Sequence, residues 1–366
     1  MSPGRVLGWD LLRGLCALAV ASYHLMVWQG LADLPTLATY GVYLFFLLSG
    51  ASLAYVYGDG LRDPRSVAGF LVLRWLRLAP LYLAVCVGFL AMLAARDGAW
   101  TDQLGFRLAL NASFAFGLYD PGVWALAIGG WSLGIEFVFY LAMPALVRVL
   151  PRPGLRWVVL ALLVAVQAGW IAATVGAHGL AAASVAYHQV PAFGAYFFAG
   201  CLVGWAQRRG LPPLSARAGA AVWLAMGALL LALAPAVPGD ELVGWRGVLL
   251  PAACALCVWA SGRVVLSGRA ATLAAWLGDV TYGAYLLHPM VFFGFTWFVL
   301  PAFTGTPIEQ LPAATRWAVL AGGLAVTCAL ARASERWFER PLRSAGRRLL
   351  PTPSRAGGPA RPARTA

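Results

Sequence analysis

Apolar residues along this chain gather into long blocks, separated by short stretches that collect the prolines, glycines and charges. Blocks over 9–29, 38–57, 69–94, 131–149, 157–176, 190–206, 218–236, 246–263, 273–299 and 315–335 each approach the length a helix needs to cross a bilayer. The pattern therefore predicts an all-α, polytopic integral membrane bundle of about ten transmembrane helices. A further apolar piece, 104–118, is shorter and holds Asn111 and Ser113. If it crosses, Arg148, Arg152 and Arg156 fall outside. If it is re-entrant or interfacial they fall inside, with Arg62, Arg65, Arg208, Arg209, Arg217, Arg263, Arg269 and the C-terminal arginines. The positive-inside rule favours the second arrangement, with both termini cytoplasmic and the protein in the cell (inner or plasma) membrane. Loops on the other side then keep Asp33, Asp97, Asp102, Asp120, Asp240, Glu241 and Glu309. No internal repeat is evident, so residues 1–345 read as one membrane domain. Residues 346–366, rich in Pro, Arg, Ala and Gly, read as a disordered basic cytoplasmic tail.

Composition agrees with this class. The chain has 366 residues, 61% hydrophobic and 11% charged, against roughly 25% charged in soluble domains. The net charge of +13 raises nucleic acid as a partner, yet from Arg332 onward nine arginines against two glutamates supply +7 of it. A basic segment beside a span reads first as an orientation signal and an anionic-lipid contact. All six cysteines lie in apolar blocks, which implies packing rather than a disulfide framework. Cys254 and Cys257 form an isolated C-x-x-C with no second pair. Arg5 followed by an apolar run to Ala21 resembles a cleaved leader, but Asp10 and Arg13 interrupt it and apolar sequence continues beyond, so an intact first span is expected.

That first span carries the most informative residues. Ionisable groups in hydrocarbon are costly and tend to face a protein interior or a wet cavity. Arg13 and His24 are eleven residues apart, which on a helix returns to within about 20° of the same direction after about 16 Å of rise. That separation suits two ends of one long ligand. Asp10, three residues before Arg13, is placed to pair with it. In W-S-L-G-I-E-F-V-F-Y-L, residues 131–141, Glu136 lies at a depth in its span similar to that of His24, and a carboxylate there is expected to orient the imidazole. Ser132, one turn earlier, would bind an acceptor or hold Glu136. Arg74 and Arg77 sit one turn apart at the start of the third span, a two-pronged site for phosphates as well as a positive-inside anchor. In L-G-D-V-T-Y-G-A-Y-L-L-H-P, residues 277–289, Tyr282, Tyr285 and His288 form a drifting polar stripe suited to a substrate cavity, and Pro289 is expected to kink the helix. Ser49–Gly50 allows close helix approach. His178 and His188 receive no role. There is no P-loop and no metal-ligand motif, so neither nucleotide hydrolysis nor a metal site is expected.

Together these segments resemble the acyltransferase family 3 membrane proteins. The resemblance rests on D-x-L-R-G with a following His (Asp10, Leu12, Arg13, Gly14, His24), F-F-x-L-S-G at Phe45–Gly50 and R-x-x-R at Arg74 and Arg77. It extends to W-S-L-x-x-E-x-x-F-Y at Trp131–Tyr140 and to a closing block at Thr281–Pro289, where Thr281 replaces the usual Ser. It implies a ten-span enzyme moving an acyl group, commonly acetyl, from acyl-CoA to a hydroxyl of a sugar, glycan or lipid-linked acceptor. The co-substrate is acyl-CoA, with no permanently bound cofactor. It also implies His24, Arg13, Arg74, Arg77, Ser132 and Glu136 as the functional set, with His24 a general base or acyl carrier. A proton-coupled exporter using Arg13, His24 and Glu136 as a relay is the competing class.

Overall fold

The computed structural model describes residues 4–349 apart from 99–101, 236 and 238. The long helices are α1 (Leu7–Trp28), α2 (Thr36–Tyr57), α3 (Pro64–Asp97), α4 (Leu104–Ser113), α5 (Gly130–Val149) and α6 (Pro153–Ile171). They continue with α7 (Gly194–Arg208), α8 (Ala216–Ala232), α9 (Gly244–Arg263), α10 (Gly268–Gly294), α11 (Ala313–Ser334) and α12 (Arg340–Leu349).

Among the described residues, eight helices are long and apolar enough to cross a membrane. The expectation of ten is met in part, because the blocks at 190–206 and 218–236 form shorter helices, α7 of 15 residues and α8 of 17. At 1.5 Å per residue α7 is about 22 Å long, less than the hydrocarbon core. Segment 104–118 breaks into the 10-residue α4 and a turn at Phe116–Tyr119, parted by Phe114 with φ 57°. Neither piece can span. The helix α10 runs through Pro289 to Gly294 without a break and then loosens into a π-turn, Phe295–Val299. The expected tail boundary at 345 is also corrected: α12 continues to Leu349, with Gly346 close against Leu76 of α3. Residues 350–366 lie outside the described residues.

Two helix pairs build the centre. The first is α2 on α7, where small residues let backbones touch. A Cβ at Gly50 would lie 2.1 Å from the Phe197 carbonyl oxygen, and one at Gly204 1.9 Å from that of Ala51. Close approach at Ser49–Gly50 is therefore observed, with Gly200-x-x-x-Gly204 as its counterpart. The second pair is α1 on α10, flanked by α11 and α2. Trp9 is 2% exposed and donates from Nε1 to the Val258 carbonyl at 2.8 Å, locking α1 to α9. Exposed apolar side chains, among them Trp157, Val158 and Leu162 on α6 and Leu224 and Leu231 on α8, suit a hydrocarbon solvent. All six cysteines are free, five of them buried.

Asn111 fixes the broken segment. Its amide nitrogen donates to the carbonyls of Arg107 (2.8 Å) and Trp124 (2.9 Å), and its oxygen accepts from the Leu126 amide (3.1 Å) and the Tyr82 hydroxyl. All of its hydrogen-bonding capacity is used. The connection it shapes delivers Gly129, at φ 78°, from which α5 starts.

Candidate active site

A cavity of about 500 Å³ opens where α1 begins and runs inward between α1, α2, α3, α5 and α10. Six arginines line it: Arg5, Arg13, Arg74, Arg77, Arg343 and Arg347. Four carboxylates accompany them, from Asp10, Glu136, Asp279 and Glu335, so the wall carries a cationic excess. Of the ten residues singled out from sequence, Asp10, Arg13, Arg74, Arg77, Ser132, Glu136, Tyr282 and Tyr285 all line this one space, and His24 and His288 do not.

The arginines differ in what already holds them. Arg13 pairs with Asp10 at 3.3 Å, as its spacing predicts, and donates to the Leu48 carbonyl at 3.1 Å and to Ser52. Arg77 is bound by Glu339 at 2.8 Å and lies 3.9 Å from Glu335. These two acids sit on a π-turn, Glu335–Glu339, which also ties down Arg343. Arg74 is different. Among the described residues it makes no ion pair, its guanidinium lies about 6 Å from the Tyr57 and Phe70 ring centres, and its buried Nε has no partner. A partly buried cation without a counter-ion at a cavity wall suits an anionic ligand. Sequence reasoning missed Arg5, Arg343 and Arg347. An orientation-signal reading of the C-terminal charge hid the last two, since nothing local shows that α12 folds back onto α3.

The expected pairing of Glu136 with His24 does not occur. Glu136 Oε1 accepts from the hydroxyls of Ser49 and Tyr140, each at 2.6 Å. It belongs to the floor of the arginine cavity. His24 instead meets His288, Nδ1 to Nε2 at 2.9 Å, with the rings tilted by only 7°. Comparable depth along two helices did not bring these side chains together, because α5 faces α2 at this level whereas α1 faces α10.

The histidine pair has a definable proton arrangement. His288 is 1% exposed, and its Nδ1 lies 3.2 Å from the Ala284 carbonyl, which can only accept. His288 Nδ1 therefore carries the hydrogen and, in the neutral ring, its Nε2 accepts. His24 must then donate from Nδ1, which leaves its Nε2 with a lone pair and, among the described residues, no hydrogen-bond partner. A chain of contacts links this pair to the cavity. Ser132 Oγ and Tyr285 Oη are 2.9 Å apart, both bond the Gly129 carbonyl, and the Tyr285 ring centre is 6.3 Å from that of His288. A Cβ on Gly129 would come within 3.0 Å of Tyr285 Oη, so glycine is required there by both φ and space.

Helices α1, α5 and α10 thus bring an arginine-lined cavity, a serine–tyrosine contact and a histidine with an unpartnered ring nitrogen into one region. The acyltransferase domain family model matches residues 6–332. The chain belongs to this acyltransferase family. It is also 34% identical over 177 residues to the acyltransferase MdmB of Streptomyces mycarofaciens, an alignment covering 42% of this chain and 44% of that protein. The chain thus spans less than half of this relative's length. No solved structure matches it. Membership and the long apolar helices fit a membrane-bound acyltransferase.

Proposed function

We propose that this acyltransferase moves an acyl group, acetyl in the simplest case, from acyl-CoA to a hydroxyl of a sugar, glycan or glycosylated acceptor. The observation that carries the reading is the single cavity that gathers Arg13, Arg74 and Arg77 at one end and Ser132 and Tyr285 at the other, in contact with the His288–His24 pair. Phosphates of the donor meet Arg74 first, because it is uncommitted. Arg77 and Arg343 follow by exchanging Glu335 and Glu339 for phosphate. The pantetheine arm runs inward along α1, consistent with about 16 Å of rise between Arg13 and His24. The donor enters from the cytoplasm, where both termini lie.

At the inner end, His24 Nε2 takes the proton of the acceptor hydroxyl as its oxygen attacks the thioester carbonyl. The carbon–sulfur bond breaks, the ester forms, and the imidazolium returns its proton to the departing thiolate, giving free CoA. His288 keeps Nδ1 of His24 occupied, so Nε2 is the basic nitrogen. A variant route has the acyl group pass first to His24 Nε2.

Membranes bearing the wild type or His24→Ala, given acetyl-labelled acetyl-CoA, test the reading. Label entering a glycan, lipid or added glycoside only with the wild type supports it. Substantial transfer by His24→Ala overturns the role of His24. Export of a solute without CoA release would favour the proton-coupled transporter.

A further inference from the structure

Helix α11 has 22 residues, about 33 Å at 1.5 Å per residue, which crosses the roughly 30 Å hydrocarbon core by itself. Its exposed Trp317, Val326 and Leu330 suit lipid contact along that path. The π-turn Glu335–Glu339 and α12 therefore begin where the hydrocarbon ends. Glu335 and Glu339 both reach Arg77, and Gly346 packs on Leu76 and Leu73. The helical path from Glu335 to Gly346 is about 16 Å long, yet both residues meet α3 within one turn. The stretch thus crosses α3 at the mouth of the arginine cavity instead of running beside it.

Two rows of side chains run along α12. Arg340, Arg343 and Arg347 recur at helical spacing, and the last two line the cavity. Leu342, Ala345 and Leu349 repeat that spacing two residues later, a rotation of about 200° on a helix. The rows therefore stand back to back. Leu342, Ala345 and Leu349 are exposed, Leu349 by 83%, and on the preceding π-turn so are Phe338 and Trp337, the latter by 72%. A row of arginines backed by leucine and aromatic side chains is the composition of a helix lying in the plane of a membrane surface, and tryptophan is favoured at that level. The lipid-facing surface of α11 leads into the apolar row with no intervening loop, so the surface at hand to cover it is the bilayer.

We propose that α12 is an in-plane anchor: Phe338, Leu342, Ala345 and Leu349 sink into the leaflet on the donor side, and this seating holds Arg343 and Arg347 over the mouth of the arginine cavity. The partner is the apolar boundary of the surrounding bilayer. The effect on donor affinity rests on the acyl-CoA reading above; the anchoring does not.

The test uses the full chain in lipid nanodiscs. In a Cys328→Ala background, which removes the one cysteine that is not buried, nitroxide labels are introduced through Ala345→Cys and, away from the apolar row, Ser344→Cys. The label at 345 is expected to be open to oxygen and shielded from a water-soluble nickel chelate, and the label at 344 the reverse. Equal nickel access at both positions overturns the anchor. Shielding at 345 from oxygen as well reports a protein contact, such as a second copy, and overturns it too. CoA release from acetyl-CoA, with p-nitrophenyl glycosides as acceptors, then tests the coupling. Leu342→Glu with Leu349→Glu should raise the acetyl-CoA KM about ten-fold, the loss of one charge-assisted hydrogen bond, with kcat within about two-fold. Leu342→Met with Leu349→Met should keep the wild-type KM. If the double Glu variant does not fold, Leu349→Glu alone, at the exposed end of the helix, should raise the same KM. An unchanged KM in a Glu variant whose label at 345 has become open to nickel overturns the hold on Arg343 and Arg347. Absence of any CoA release from the wild type overturns the acyl-CoA reading and the coupling with it, while the labels still decide the anchor.

Discussion

The partnership of His24 and His288 makes the sharpest demand on experiment. Replacing His288 by Leu removes the acceptor 2.9 Å from His24 Nδ1, which among the described residues is the one partner that fixes which nitrogen of His24 is basic. An unsatisfied buried donor costs about 1–3 kcal/mol, and loss of the tautomer preference acts in the same direction. Each 1.4 kcal/mol is about ten-fold in rate, so His288→Leu should lower kcat by roughly 10- to 100-fold. The acetyl-CoA KM should hold, because His288 does not line the arginine cavity. His288→Gln retains a carbonyl oxygen able to accept from Nδ1 and should recover part of the rate. The assay is transfer of labelled acetyl across a range of pH, with thermal unfolding of each variant measured in parallel. Full kcat in His288→Leu would refute the reasoning. Equal losses in the Leu and Gln variants, following a shared drop in stability, would reduce His288 to packing.

Other parts of the site and fold give separate expectations. Arg74→Ala should raise the acyl-CoA KM by about 10-fold or more with little change in kcat or stability, since a charge-assisted hydrogen bond contributes about 1.5–3 kcal/mol; an unchanged KM would exclude it from the donor site. Arg77→Ala should instead destabilise the protein, by about 1–3 kcal/mol, because Glu339, whose side chain is 3% exposed, loses the nearer of its two arginine partners and keeps only Arg343 at 3.4 Å and Ser334; a thermal melt separates the two cases. Gly204→Leu should abolish folded protein in the membrane, because its first side-chain carbon would sit 1.9 Å from the Ala51 oxygen and overpacking here meets backbone; normal yield on size-exclusion chromatography would contradict the α2–α7 contact. Asn111→Leu should cost about 2–4 kcal/mol in thermal stability by orphaning its four partners, while leaving His24 chemistry intact in the protein that still folds.

Much of this was legible in the sequence, for reasons that also mark where legibility ends. Spans show in hydropathy because every backbone polar group in hydrocarbon must be satisfied within the segment. That argument weakens for α7, which is short and packed against α2, so that its neighbours decide its role. The Asp10–Arg13 pair was readable because helix geometry fixes positions three residues apart. The resemblance implied one functional set of His24, Arg13, Arg74, Arg77, Ser132 and Glu136; the last five line the arginine cavity and His24 does not. The contributions of Arg343 and Arg347 were not readable, since they depend on α12 turning back over α3 at Gly346 and Leu76.

The misplaced Glu136–His24 pair is the instructive case. Position along a helix gives depth, and both residues do lie well inside their spans. Contact between helices also needs azimuth and neighbour order, which depth does not supply. Glu136 turns toward Ser49 of α2, while His24 turns toward α10, where Ala284 and His288 offer an acceptor in register. The consequence is chemical. A carboxylate partner would stabilise an imidazolium strongly, whereas a neutral imidazole partner fixes the tautomer without adding negative charge. His24 is thereby suited to taking a proton for the duration of one transfer and giving it to the thiolate that leaves, rather than to holding it. With Glu136 on the wall of the arginine cavity, its carboxylate is available to a ligand there. Glu136→Gln should accordingly alter the acyl-CoA KM more than the pH dependence of kcat. A shifted pH profile with an unchanged donor KM would return Glu136 to His24.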